Sequence, residues 1–137
     1  MIKCNACGAA FGELATRTVF LDEIQVCHWS DNLPELEIQS AQVLGDFCCK
    51  SCASSALDRY LSKIGAIATW ADVRPIETCA ICAKDFSTER PHRTLTLSEE
   101  TGPETGSEML YRGYPARFCP DCTPRVGTAI GESWSQS

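Results

Sequence analysis

Eight of the ten cysteines in this chain of 137 residues fall into four Cys-x2-Cys pairs: Cys4 and Cys7, Cys49 and Cys52, Cys79 and Cys82, Cys119 and Cys122. Two thiolates held by one tight turn chelate a single tetrahedral ion, and two such turns complete a four-sulfur site closed to water and substrate. Four pairs predict two Zn2+ per chain, one on Cys4, Cys7, Cys49 and Cys52, the other on Cys79, Cys82, Cys119 and Cys122. Iron accepts the same donor set. An interleaved scheme, in which the first and third pairs share an ion, is the alternative to two self-contained units.

Cysteine this dense otherwise signals a disulfide framework. The opening "MIKCNACGAAF" has no basic stretch followed by a long apolar one, so no secretory signal is expected. The longest apolar stretch, "IGAIATWA", falls far short of the roughly 20 residues that cross a bilayer. The expectation is a soluble, cytoplasmic protein whose thiols stay free to hold metal.

The ligand pairs sit in a repeating frame. "CNACGAAF" at 4 to 11 matches "CAICAKDF" at 79 to 86, "TRTVFL" resembles "HRTLTL", and "FCCKSC" answers "RFCPDC". The same order of parts twice argues for two copies of one supersecondary unit. The stretch "GDFCCKSC", residues 45 to 52, offers three thiols where a half-site needs two. Spacing selects Cys49 and Cys52, because Cys48 would need a three-residue spacing found in no other pair. Alignment by Cys-x2-Cys sets Cys48 opposite Phe118, so Cys48 is expected to pack as a small hydrophobe.

Between the cysteine pairs, "TVFLDEIQVCHW" and "LEIQSAQVL" flank the turn-rich "SDNLPE" and read as a β-hairpin. "RTLTLS" and "MLYRGYPARF" around "EETGPETGSE" read as another. Behind Cys52, Leu57, Tyr60, Leu61 and Ile64 recur at helical spacing up to Gly65, a helix-ending residue. A shorter helix follows Cys122, with Pro124 in its first turn and Gly127 and Gly131 weakening it. Each half is thus knuckle, β-hairpin, second knuckle and helix, with the second pair at the helix N-terminus, where anionic ligands are favoured.

In this arrangement the chain resembles the treble-clef group of zinc fingers. The resemblance implies a small α+β, metal-stabilised fold of two tandem modules: a first Cys4 module over residues 1–65, a connector over 66–78 and a second Cys4 module over 79–137. Ile67 and Trp70 in the connector are expected to pack between modules. A core of such size seldom supplies more than roughly 3 to 5 kcal/mol, whereas a structural zinc contributes about 10 to 16 kcal/mol. Metal is therefore expected to decide whether each half folds.

Charge and residue types restrict function. Twelve basic against eighteen acidic residues give a net charge of -6, and eight bound thiolates with two dications bring it to about -10. That balance opposes general nucleic-acid binding, which gains affinity by neutralising phosphates. The second half does concentrate Arg90, His92, Arg93, Arg112, Arg117 and Arg125, with Arg93 and Arg112 expected on one hairpin face. A hydrolytic zinc keeps an open position for water, which four thiolates close. His28 follows Cys27, but adjacent strand residues point to opposite faces, so no Cys/His nucleophilic pair is formed. The glycines of the acidic turn do not precede a helix, which removes a phosphate loop. The expected function is a non-enzymatic zinc-binding adaptor or regulator with a protein partner, presenting hairpins and an acidic tip of Glu99, Glu100, Glu104 and Glu108. The alternatives are a nucleic-acid-associated regulator using the arginines and a thiol redox sensor using Cys27 and Cys48.

Overall fold

β-branched and aromatic residues recur in the stretches between the cysteine pairs, and those stretches build antiparallel strands. The computed structural model describes residues 2–11, 16–102, 108–124 and 126. Glu104 and Arg125 of the expected acidic tip and arginine group, and Gly106, Gly127 and Gly131, lie outside them. Among the described residues the architecture is small α+β, mostly antiparallel sheet with one helix. Short strands β1 (Ile2–Lys3) and β2 (Ala10–Phe11) form one two-stranded sheet, and β5 (Ile76–Thr78) and β6 (Asp85–Ser87) form another. The long strands β3 (Arg17–Ser30), β4 (Leu33–Phe47), β7 (His92–Thr101) and β8 (Glu108–Phe118) make a four-stranded sheet in the order β4-β3-β7-β8.

The two hairpins meet at the centre of that sheet, where β3 pairs with β7 from Arg17↔Glu100 to Gln25↔His92. Exchanging the repeat-equivalent residues Arg17 and Arg93 turns the pair Arg17↔Glu100 into Arg93↔Ile24, which is also a pair. The pairing therefore has the symmetry of a two-fold axis between the units. The β3–β4 hairpin closes on Asp31 and Asn32, both at positive φ (51° and 65°), the backbone of a two-residue turn matched to strand twist.

One face of this sheet carries the apolar core. Phe20 lies beside Leu97 across the central pair, Ala116 beside Leu95, and Phe47 and Phe118 end the two outer strands. The helix α1 (Lys50–Ile64) covers this face with Ala53, Ala56, Leu57, Tyr60, Leu61 and Ile64, the helical spacing that the sequence announces. Gly65 ends it at φ 73°, its N–H returning to Leu61 and Ser62. Helical backbone begins again at Thr123 and Pro124, directly after the last cysteine.

The opposite face buries polar side chains. Glu23, 2% exposed, accepts from Gln25 Nε2 at 2.6 Å and Thr96 Oγ1 at 2.9 Å and pairs with Arg112. Fully desolvated groups of this kind are tolerated only when partnered.

The connector does not pack as expected. Ile67 is 77% exposed and Trp70 53%. The N–H groups of Thr69 and Trp70 both bond the Pro115 carbonyl, and Ala71 bridges Tyr114, so the segment runs along β8.

Candidate metal centres

Each unit begins with a tight turn that aims two thiols at one point. In the first, Gly8 N–H donates to Cys4 O and Cys4 N–H to Ala9 O, both at 2.9 Å. In the second, Ala83 N–H donates to Cys79 O at 3.0 Å and Cys79 N–H to Lys84 O at 2.9 Å. Gly8 and Ala83 close the two turns in the left-handed region, at φ 76° and 61°.

The end of an outer strand brings the second half of each site. Asn5 N–H donates to Asp46 O at 2.8 Å, and Ala80 N–H to Arg117 O at 2.9 Å. These equivalent bonds align Asp46, Phe47 and Cys48 with Arg117, Phe118 and Cys119. Phe47 and Phe118 both point into the core, at 1% and 0% exposure. The residue after each phenylalanine must then turn to the other side, towards the knuckle.

Four sulfurs consequently converge at the open end of each hairpin, beside Thr18↔Phe47 in the first and Arg93↔Phe118 in the second. Cys4, Cys7, Cys48 and Cys52 form one group and Cys79, Cys82, Cys119 and Cys122 the other, with all ligand atoms of a group within 4.8 Å of one another. All ten cysteines are free thiols. Four sulfurs at 2.3 Å from a tetrahedral zinc stand about 3.8 Å apart. The separations are 3.6 Å for Cys7 to Cys48, 4.0 Å for Cys48 to Cys52 and 3.8 Å for Cys82 to Cys119. The donor set and its spacing fit zinc.

The first group corrects the sequence expectation, which set Cys49 among the ligands and Cys48 in the core. Cys48 occupies the ligand position, and Cys49 is the N-cap of α1, its sulfur accepting the Cys52 N–H at 3.5 Å. The error has a definite source. Matching Cys-x2-Cys to Cys-x2-Cys slides the first unit by one residue, whereas the strand ends fix Phe47 opposite Phe118. The signal was present in "DFC" against "RFC", which pairs phenylalanine with phenylalanine.

Electrostatics within the groups oppose four simultaneous thiolates without a cation. Burial pushes the Cys4 thiol up, but the N–H groups of Cys7, Cys48 and Ala6 outweigh it and bring its pKa down to about 6. Cys79 falls to about 7, burial being overcome by the N–H groups of Cys119, Cys82 and Ile81. The neighbouring thiols of Cys7 and Cys4 push Cys48 up to about 12. Cys52 is raised by Cys49 and by burial, and Cys122 is raised by burial and by Cys119. One negative charge per group suppresses the next, so only a cation allows four thiolates to coexist.

The remaining sequence candidates are dispersed. Cys27 is 1% exposed, and burial raises its pKa. It pairs with Leu36, whereas Thr18 pairs with Phe47 at the other end of the hairpin, about 30 Å away along the strand. A disulfide needs Cα atoms within about 7 Å, so Cys27 and Cys48 are not redox partners in this fold. His28 is exposed and meets Glu37 at 3.2 Å.

Of the described arginines in the second half, Arg90 is exposed, whereas Arg93, Arg112 and Arg117 meet internal partners. Arg117 is 1% exposed and donates from Nη1 to Gln25 Oε1, His92 Nε2 and Thr94 Oγ1, at 2.7, 2.9 and 3.2 Å, beneath the Tyr114 ring. Nδ1 of His92 lies 2.8 Å from Arg90 O, to which it donates. Burial brings the His92 pKa down to about 4 and keeps the ring neutral. Arg93 pairs with Asp22 at 3.0 Å and Arg112 with Glu23. Arg93 lies opposite Phe118 and Arg112 opposite Ser98, which sets them on opposite sheet faces rather than on one. Glu100 of the acidic tip is 3.6 Å from Arg17.

The chain matches no family model, no curated protein and no solved structure. No described helix is long and apolar enough to cross a membrane.

Proposed function

We propose that this protein is a non-enzymatic zinc-binding adaptor that holds two structural ions in tandem treble-clef-like units and offers its surface to a protein partner. The observation carrying this reading is the convergence of two four-thiol groups at zinc-compatible spacing. Such sites are coordinatively closed, which suits a structural rather than hydrolytic ion. When bound, each ion cross-links a knuckle to the end of an outer strand and to the start of the following helical turn.

The partner reading draws on the surface. A groove of about 460 Å³ runs between α1 and the sheet, with Phe20, Leu57 and Leu97 inside it and Trp70 and Tyr111 along it. Both aromatics are about half exposed, at 53% and 52%, and tyrosine and tryptophan are the residues that anchor protein interfaces. The nucleic-acid alternative draws little support, because Arg93, Arg112 and Arg117 are spent on internal partners.

Metal content tests the core of the proposal. Protein purified without added metal is expected to carry two zinc ions per chain by elemental analysis, and chelation should abolish its cooperative unfolding transition. One ion per chain, or a transition unchanged by chelator, would overturn it.

A further inference from the structure

The first thiol group has a neighbour that the second lacks. After the strand-end ligand, the second unit carries Pro120, and the first carries Cys49. Cys49 is exposed, in extended backbone (φ -157°) as the cap of α1, and stands outside the four converging sulfurs. Its sulfur nevertheless accepts the backbone N–H of Cys52, one of the four, at 3.5 Å. A fifth thiol, open to solvent and unneeded for tetrahedral coordination, therefore stands in the same helix turn as Cys52 and next in the chain to Cys48. With Cys52 it forms a Cys-x2-Cys pair opening a helix, an arrangement suited to reversible disulfide formation.

We propose that Cys49 and Cys52 form a peroxide-responsive switch that opens the first metal site while the second stays closed. This rests on the zinc reading above. The Cys49 thiolate attacks hydrogen peroxide, forming an S–O bond as the O–O bond breaks; sulfur is oxidised by two electrons and hydroxide leaves. The Cys52 sulfur then attacks the Cys49 sulfenic acid. An S–S bond forms, the S–O bond breaks, and the departing hydroxide takes up a proton as water. Cys52 thereby ceases to be a thiolate ligand, which leaves three sulfurs on the first ion. A dithiol reductant reverses the change. Pro120 offers the second site no equivalent sulfur.

The test is a hydrogen peroxide titration of the two-zinc protein, with released zinc read by a chromogenic chelator and disulfides mapped by alkylation and mass spectrometry. Expected are the early release of one zinc per chain, a Cys49–Cys52 disulfide, and recovery with dithiothreitol. Cys49→Ser retains an N-cap acceptor and all four converging thiols, so it should bind two zincs and slow the early release by at least about tenfold, removing the accessible nucleophile. Equal release from wild type and Cys49→Ser, or a disulfide that omits Cys49, overturns the switch. A protein that holds both zincs through peroxide overturns the switch alone, whereas one that takes up no zinc overturns the metal reading as well.

Discussion

Cys48 and Cys49 are adjacent, chemically identical and differently employed, because one follows a core phenylalanine and the other begins a helix. The sulfur of Cys48 lies 3.6 Å from Cys7 and 4.0 Å from Cys52, so removing it deletes a corner of the tetrahedron. Removing Cys49 deletes a cap, which costs about 0.5 to 2 kcal/mol and leaves the four-sulfur group whole. Cys48→Ala should therefore bind one zinc per chain and Cys49→Ala two, by elemental analysis of protein refolded with excess metal. Two zincs in Cys48→Ala and one in Cys49→Ala would restore the assignment that spacing suggests.

At the scale of elements, the two knuckles make the same turn with different residues. Gly8 reaches φ 76° without strain, and a Cβ there would meet nothing within 4 Å. Ala83 holds φ 61° with a Cβ, which costs an L-residue about 1 to 2 kcal/mol. Glycine relieves that strain but gives part of it back through the freedom of the unfolded chain. Ala83→Gly should accordingly raise stability by about 0.5 to 1 kcal/mol, read as a higher midpoint in thermal unfolding of the zinc-loaded protein. A lower midpoint would show that the turn imposes no strain on alanine.

For the whole molecule, the central β3–β7 pairing decides how far the units depend on each other. β3 buries Val19, Phe20, Asp22, Glu23 and Gln25 on both faces, and Glu23 and Gln25 find Thr96, Arg112 and Arg117 in the other unit. A fragment of residues 1–74 would leave that strand's second edge unpaired and strip Glu23 and Gln25 of every partner except each other. Supplied with zinc, it should show poorly dispersed amide resonances and no cooperative unfolding. A well-dispersed spectrum with one bound zinc would instead make the first unit autonomous.

The sequence by itself determined the chemistry and the parts. Spacing marked the thiols, alternation marked both hairpins, and Leu57, Tyr60, Leu61 and Ile64 marked α1 up to its glycine cap, because these signals are local and each residue carries its own. Tertiary structure decided which of two neighbouring thiols joins the first group, since that depends on the side from which the strand end enters the core, although "DFC" against "RFC" carried a local sign of it. It alone joined the hairpins through β3 and β7, a pairing whose partners lie far apart in the chain and whose register no local pattern encodes. It also turned Arg93, Arg112 and Arg117 inward and left Trp70 exposed, because charge counts and hydrophobicity rank residues by average burial while a shared sheet assigns each to a face.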